Sequence, residues 1–268
     1  MPRVVRLHTE VSGSGPVSVV LLHGLFGSAS NLMAVARCLE KYFTVIRMDL
    51  RNHGKSAHSD QMDIPVMAED VVAAMDTLDI PRAHLLGHSL GGKVAMQVAI
   101  TQPERVRRLI VADIAPVRYG RGHDAIITAL LGLDLRSLRN REHADQLLVK
   151  DVPELGIRQF LLKNLMRDGK DGWAWRMNLA VIAELYDNLR DAPSPDLFNG
   201  PSLFIRGELS GYIRDENRAP MMRQFPNMYF ETIPKAGHWL HAEYPAIFNG
   251  LVEEFLRADE AAYEGGAA

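Results

Sequence analysis

The sequence contains a single cysteine, Cys38, in 268 residues. An intrachain disulfide is therefore impossible, and the fold does not depend on an oxidising compartment. No segment approaches the roughly 18 uninterrupted apolar residues that a membrane-spanning helix requires. Residues 1–6 also lack the apolar run and the small-residue cleavage site of a secretory signal. From these absences we expect a cytoplasmic protein without a membrane span.

An excess of charge of one sign is absent too. Lysine and arginine number 30 against 33 aspartates and glutamates, which gives a formal net charge of -3. This balance provides no general attraction to nucleic acid or to an anionic membrane, so neither is an expected partner. The length, together with the apolar fraction of 47%, suits one large α/β domain or one such domain with an insertion.

Short apolar runs alternate with helical patterns along the first part of the chain. The apolar runs are typical of buried strands and occupy residues 17–22, 44–48, 84–86 and 109–112. Helical spacing of apolar residues occupies 31–40, 65–78 and 91–100. Such alternation predicts an α/β fold with a mostly parallel sheet and helices on both faces. The initial segment 4–11 is a candidate antiparallel edge strand.

The alternation breaks after the strand that ends at Asp113. Helical patterns without a convincing strand follow at 124–133, 143–149, 154–166 and 175–189. This stretch is too long for a connecting loop. Strand and helix patterns resume at 202–206, 228–233 and 246–257. We therefore predict a helical cap of residues 117–199, inserted into an α/β core made of residues 1–116 and 200–268.

Ser89 is the predicted nucleophile. It lies in Gly87-His88-Ser89-Leu90-Gly91, a G-x-S-x-G pattern directly after a predicted strand and before a predicted helix. In this arrangement the serine occupies a sharp, strained turn that exposes its hydroxyl. Gly87 and Gly91 are needed because side chains at these positions would collide at the turn. The helix points its positive end toward the site, so the Leu90 N–H is a candidate oxyanion donor.

The loop after an earlier predicted strand reads His23-Gly24-Leu25-Phe26-Gly27. The fold places this loop beside the nucleophile, so the Leu25 N–H is the second candidate oxyanion donor. Two aromatic residues next to catalytic loops, Phe26 and Trp239, are predicted to contact substrate. Tyr119, at the start of the cap, is a candidate contact for a polar leaving group.

The catalytic base should follow the nucleophile and the acid in chain order. The histidines after the serine are His123, His143, His238 and His241. The first two fall in the predicted cap, and His241 falls where the last helix is expected to begin. His238 lies in a loop after the last predicted strand, next to Gly237, whose lack of a side chain permits close approach. His238 is therefore the predicted base.

The triad acid has more than one candidate. Most enzymes of this fold carry it as G-x-x-D after the strand that follows the cap, but here that place reads Gly207-Glu208-Leu209-Ser210. A serine hydroxyl cannot stabilise an imidazolium with a full charge. Asp113 ends the preceding strand at the same sheet edge as Ser89, and it is favoured. Glu208 and Asp215 remain alternatives.

Several motifs carry a resemblance to a known family. They read HGLFGS at 23–28, DLRNHGKS at 49–56, GHSLGGK at 87–93, DIAPV at 113–117 and GHWLHAE at 237–243. Together they resemble the YbfF-like esterases of the α/β-hydrolase superfamily, over almost the whole chain. The resemblance implies a small helical cap, activity on acyl esters with acyl thioesters as a further class, and an acid after the earlier strand. It therefore supports Asp113.

These patterns predict a serine carboxylesterase that cleaves small to medium acyl esters through a Ser-His-Asp triad and an acyl-enzyme. No cofactor is expected, and no metal either, because His53 and His58 lack a set of further ligands. Carbon–carbon bond hydrolases, amidases and perhydrolases keep the same serine and stay as alternatives. A ligand-binding receptor on a hydrolase scaffold is a further alternative. No oligomeric state is indicated.

Overall fold

A computed structural model describes residues 4–169 and 172–258, so the ends of the predicted core, 1–3 and 259–268, lie outside the described residues. The strands are β1 (Thr9–Ser12), β2 (Ser18–Leu22), β3 (Thr44–Met48), β4 (Ala83–His88), β5 (Val106–Ala112), β6 (Leu165–Asp168), β7 (Gly172–Trp175), β8 (Ser202–Gly207) and β9 (Met228–Ile233). Seven of them form one sheet in the order β1-β3-β2-β4-β5-β8-β9. All neighbours in this sheet are parallel except β1 and β3. The predicted sheet, including an antiparallel edge strand, is confirmed.

Helices connect and flank these strands. They are α1 (Met33–Leu39), α2 (Ile64–Thr77), α3 (Leu90–Thr101), α4 (Asp124–Leu131), α5 (Arg141–Leu148), α6 (Leu155–Leu162), α7 (Leu179–Glu184), α8 (Tyr186–Leu189), α9 (Asp215–Gln224), α10 (Leu240–Glu243) and α11 (Pro245–Arg257). Two short 3-10 helices span Ala29–Leu32 and Pro103–Arg105.

The central strands are apolar on both faces because helices cover both. In β4 all six residues are buried, which is why the adjacent Leu85 and Leu86 are both apolar instead of alternating with polar residues. Leu85 belongs to the same apolar cluster as Val94 of α3. The next residue, Leu86, points to the other face and belongs to the cluster of Phe248 of α11. The sheet is thus fixed from both sides, and the loops at its ends inherit that rigidity.

Residues 117–199, the inserted segment, lie between β5 and β8 and contain the helices α4 to α8. The prediction that this stretch contains no strand was wrong. The strands β6 and β7 pair antiparallel, from Leu165 opposite Trp175 to Asp168 opposite Gly172. Gly169 follows β6 with a φ of 66°, a conformation that favours glycine and turns the chain back. Residues 154–166 and 175–189 therefore do not form two uninterrupted helices.

The inserted segment packs against loops that follow the carboxyl ends of the sheet strands. The Asn164 Nδ2 group donates to the Phe26 carbonyl, after β2, at 2.7 Å. The Asn178 amide donates to the Asn52 carbonyl, after β3, at 2.8 Å. The segment therefore covers the sheet edge where the predicted catalytic residues lie. None of the helices in the described ranges has both the length and the apolar character that crossing a bilayer requires.

Candidate active site

Ser89 occupies a strained turn between β4 and α3. Its φ of 53° and ψ of -118° lie outside the usual regions for a residue with a side chain. The Ser89 amide donates to the Ala112 carbonyl at 3.0 Å, which ties the turn to the neighbouring strand. A Cβ on Gly87 would lie 2.1 Å from the Gly91 carbonyl oxygen, and one on Gly91 would lie 2.3 Å from that of Leu22. Both glycines are therefore required for the turn to pack this closely.

Asp113 and His238 lie together at the same sheet edge. Asp113 directly follows β5, has no exposed surface, and adopts a φ of 53°. His238 lies in the loop between β9 and α10, with its side chain 16% exposed. The His238 Nδ1 atom lies 2.7 Å from Asp113 Oδ2. Since a carboxylate only accepts, Nδ1 carries the proton and Nε2 is left to accept one.

Two further donors hold the Asp113 carboxylate. The Gly207 amide donates to Oδ1 at 3.0 Å. The Ser210 hydroxyl donates to Oδ2, the oxygen that also accepts from the histidine. The Tyr212 amide in turn donates to Ser210 Oγ at 3.2 Å. The serine at the place where many relatives of this fold carry the acid thus contacts the aspartate instead.

The alternative acids point elsewhere. The Glu208 Oε2 atom accepts the Lys235 backbone N–H at 2.8 Å. Asp215 pairs with Arg206 at 2.9 Å, and its side chain is 87% exposed. Neither carboxylate forms a hydrogen bond with His238 among the described residues. The geometry therefore favours Asp113 as the partner of His238.

Two residues that the sequence did not single out hold His238 in place. The Tyr212 ring stacks on the imidazole with a centroid separation of 3.9 Å and an interplanar angle of 19°. His88, next to Ser89, donates from Nε2 to the His238 carbonyl at 2.8 Å. His88 was visible within the G-x-S-x-G pattern. Tyr212 meets His238 only through the fold, since the two residues lie on loops after different strands, β8 and β9.

Ser89 and His238 line one cavity. Within residues 4–169 and 172–258, the Ser89 hydroxyl makes no hydrogen bond to the His238 ring. Catalytic hydrogen bonds are often long in ligand-free structures and tighten when substrate binds. Since Asp113 engages Nδ1, Nε2 is the ring nitrogen of His238 that can accept the Ser89 proton.

The two candidate oxyanion donors, the Leu25 and Leu90 amides, remain available. Neither amide donates a hydrogen bond to another residue of the described ranges. Leu90 is the first residue of α3, where amides have no partner within the helix. Both residues lie on the wall of the cavity at Ser89. Free amides beside a nucleophile are the groups that stabilise a tetrahedral oxyanion.

Buried histidines hold the loop that carries Leu25. His23 Nε2 accepts from the Leu50 amide at 3.0 Å while Nδ1 donates to the Gly24 carbonyl at 2.8 Å. His53 Nε2 accepts from the Phe26 amide at 3.2 Å. Burial lowers the pKa of His23 to about 4 and that of His53 to about 3, so both rings are neutral at pH 7. A neutral ring can accept a hydrogen bond from a backbone amide. The bond from the Phe26 amide to His53 thus helps to hold Phe26 at its φ of 61°.

Two cavities meet at Ser89. The smaller has a volume of about 530 Å³ and the larger about 740 Å³. Both are lined by Leu25, Ser89, Gly122, His123 and Tyr212. The predicted contact residues divide between them, with Phe26 and Trp239 on the larger cavity and Tyr119 on the smaller. Ser89, the predicted nucleophile, can therefore be reached from two sides.

The polar atom of Tyr119 is already occupied. Its hydroxyl accepts from the Ala115 amide at 2.8 Å and donates to the Tyr212 carbonyl at 2.6 Å. Burial raises the pKa of this phenol, so it stays protonated. What Tyr119 offers to the smaller cavity is its ring rather than the hydrogen bond expected for a polar leaving group.

His123, from the inserted segment, is a cavity residue that the sequence placed outside the site. Its Nδ1 atom lies 2.8 Å from the Tyr186 hydroxyl. Burial lowers the pKa of His123 to about 4, so the ring is neutral at pH 7. In the described part of the chain, no group of three or more histidine, cysteine, aspartate or glutamate side chains is placed to hold a metal ion.

Comparison with known proteins places this geometry in context. Residues 17–127 match the family model of the alpha/beta hydrolase fold. The esterase YbfF of Escherichia coli is 36% identical over 253 residues, which cover 94% of this chain and 98% of that protein. The sn-1-specific diacylglycerol lipase ABHD11 of Xenopus tropicalis is 40% identical over 267 residues, covering 96% and 83%. The structure of a marine microorganism esterase superimposes with a TM-score of 0.91 at 36% identity, covering 94% of this chain and 99% of that one.

Proposed function

Since this chain belongs to the α/β-hydrolase fold family, among its YbfF-like esterases, we propose that it hydrolyses carboxylic esters with a triad of Ser89, His238 and Asp113. The observation that carries the proposal is the 2.7 Å contact between His238 Nδ1 and the fully buried Asp113 carboxylate. This contact lies beside a serine on a strained strand-to-helix turn, with two free amides next to it. That combination is the equipment of acyl transfer.

In the first half of the reaction, Ser89 Oγ forms a bond to the ester carbonyl carbon and His238 Nε2 takes the hydroxyl proton. The carbonyl π electrons move to the oxygen, and the Leu25 and Leu90 amides stabilise the resulting oxyanion. Asp113 stabilises the imidazolium without taking its proton. The oxyanion then re-forms the carbonyl, the bond to the alcohol oxygen breaks, and that oxygen takes the proton from Nε2.

In the second half, water replaces the alcohol. His238 takes a proton from water while the water oxygen bonds to the acyl carbon of the Ser89 ester. Collapse of the second tetrahedral intermediate breaks the bond to Ser89 Oγ, which recovers its proton from Nε2. The products are the alcohol and a carboxylic acid. Protons and electrons balance with water as the one co-substrate, and no cofactor takes part in any step.

The division of labour follows the two parts of the chain. Of the described residues, 4–116 and 200–258 belong to the proposed core that carries the triad, and 117–169 and 172–199 belong to the proposed cap. From the cap, Tyr186 and Leu189 line the smaller cavity and Phe160 lines the larger. The substrates are small to medium acyl esters, with acyl thioesters as a further class. The cavity volumes lie within the usual range for small-molecule sites.

The test is hydrolysis of p-nitrophenyl esters by the wild type and by Ser89→Ala. We expect Ser89→Ala to lose roughly 10⁴-fold or more in kcat and to lose labelling by a fluorophosphonate. The matched control is Ser30→Ala, an exposed serine on the same cavity wall, which should keep both activities. A folded wild type that cleaves no ester would overturn the proposal and bring amide or carbon–carbon bond hydrolysis forward.

A further inference from the structure

The two cavities at Ser89 differ in their relation to His238. His238 and its neighbour Trp239 line the larger cavity. Neither of them lines the smaller cavity, whose wall includes Leu90 and Ile114 instead. The nucleophile therefore has the imidazole on one side and an apolar chamber without it on the other.

This asymmetry assigns directions to the substituents of the tetrahedral intermediate. Its carbon carries Ser89 Oγ, the oxyanion, the leaving oxygen and the acyl chain. The oxyanion faces the Leu25 and Leu90 amides. The leaving oxygen must come within about 2.6–3.2 Å of His238 Nε2 to take its proton, so it lies on the side of the larger cavity. The acyl chain is left to extend into the smaller cavity.

We propose that the smaller cavity binds the acyl chain of the ester and that the larger cavity binds its alcohol. This inference rests on the proposed function, because the proton transfer from His238 defines the leaving side. It divides specificity between two separate walls. Acyl length is set by residues such as Ile114, Tyr119 and Leu189, and the alcohol is selected by residues such as Phe160 and Trp239.

The wall of the smaller cavity suits a hydrocarbon chain. Its cations have partners within the protein. The Lys93 ammonium donates to the Arg190 carbonyl at 2.7 Å and to the Asp191 carbonyl at 2.6 Å. Arg121 pairs with Asp187 at 2.8 Å. With these charges engaged, the surface that remains is apolar and aromatic, which favours an uncharged acyl chain.

The wall of the larger cavity is chemically mixed. Phe26, Phe160 and Trp239 give it an apolar side, while Glu154 and Lys163 are exposed lining residues that keep contact with solvent. An alcohol with both an apolar and a polar part can place the first against the aromatic side chains and keep the second hydrated. Such a group fits this cavity better than the smaller one.

Two glycines provide matched variants. Gly120 lines only the smaller cavity and Gly156 only the larger. A Cβ added at either position meets no atom within 4 Å, and neither residue has a positive φ. Gly120→Leu and Gly156→Leu should therefore fold like the wild type, which thermal denaturation checks. Each variant narrows one cavity.

The measurement is kcat/KM on two ester series, one with increasing acyl length on p-nitrophenol and one of acetates with increasing alcohol length. For Gly120→Leu, the kcat/KM for the longest acyl ester relative to that for the shortest should fall by about tenfold or more. The corresponding ratio in the alcohol series should stay that of the wild type. Gly156→Leu should do the reverse. Leu189→Trp and Ile157→Trp form a second pair that narrows the same two cavities by larger side chains.

The assignment of the cavities would be overturned if variants of the smaller cavity changed the alcohol preference and variants of the larger cavity changed the acyl preference. It would also be overturned if neither pair of variants changed one preference without the other. Either result leaves ester hydrolysis intact and is thereby distinct from failure of the proposed function. That failure would be recognised by a wild type that cleaves neither series.

Discussion

An ion pair of the core and an ion pair of the inserted segment differ in how they are held. In the core, Arg51 and Asp70 form an ion pair at 2.6 Å with side chains 0% and 1% exposed. In the inserted segment, Arg121 and Asp187 pair at 2.8 Å with side chains 51% and 52% exposed. Water can hydrate the exposed partners when they separate, but it cannot reach the buried ones. The buried pair therefore fixes its part of the core, whereas the exposed pair is a contact that water can replace.

The proposed catalytic roles follow the same division. Ser89, Asp113 and His238 all lie on loops of the core, at the carboxyl ends of its strands. Much of the wall of the two cavities at Ser89 comes from the inserted segment. Chemistry requires positions fixed to a fraction of an ångström, whereas specificity changes when wall residues change. Placing the proposed triad on the core and much of the cavity wall on the inserted segment separates the two requirements.

The largest effect is expected from a substitution in the proposed triad of the core. Asp113→Asn replaces an accepting oxygen with a donating amide, so His238 no longer presents Nε2 as the acceptor. We expect kcat to fall by roughly 10⁴-fold, measured on a p-nitrophenyl ester. The matched control is Glu208→Gln, whose side-chain oxygen can still accept the Lys235 amide. It should stay within a few-fold of the wild type.

If Glu208→Gln were the inactive variant and Asp113→Asn the active one, the triad acid would be Glu208, after β8, instead of Asp113, after β5. Circular dichroism of both variants separates this outcome from unfolding. Asp113 has no exposed surface, so its folded state needs this check more than that of Glu208.

The next effect concerns stability and contrasts the two ion pairs directly. Asp70→Leu leaves the Arg51 guanidinium buried without its carboxylate, and we expect unfolding free energy to fall by about 3–5 kcal/mol. Arg121→Gln breaks the exposed contacts to Asp187 and should leave the unfolding free energy nearly unchanged, because water hydrates both groups when they separate. Urea denaturation at pH 7 measures both. Equal losses would contradict the distinction between the buried and the exposed ion pair.

The sequence was informative where structure is local. The G-x-S-x-G turn is specified by adjacent residues, and the parallel sheet follows from contiguous apolar runs. The hairpin of β6 and β7 was missed, since its support is distant in sequence. For example, Trp173 Nε1 in β7 donates to the Leu138 carbonyl at 3.0 Å, and these residues lie far apart in the chain. In addition, the periodicity of a short apolar run does not distinguish a strand from a helix. The stacking of Tyr212 on His238 leaves no local trace either.

The core and the inserted segment also differ in the buried histidines that make their stability depend on pH. In the described core, burial lowers the pKa of His23, His53, His84, His88 and His241. In the inserted segment it lowers the pKa of His123. The unfolded chain takes up these protons at higher pH than the folded chain does. Acid should therefore destabilise the core more than the segment.

His84 tests this at the smallest scale, because among the described residues its buried Nδ1 has no hydrogen-bond partner to lose. Burial lowers its pKa from 6.5 to about 3. Between these values the unfolded state binds a proton that the folded state does not, so stability present above pH 6.5 is lost as pH falls. For one such group the loss at pH 5 is about 2 kcal/mol. His84→Leu cannot take up that proton, so its unfolding free energy should fall by about 2 kcal/mol less than that of the wild type between pH 7 and pH 5 in urea denaturation. Parallel declines would mean that His84 is charged in the folded core, and the acid sensitivity would then have to come from its other histidines.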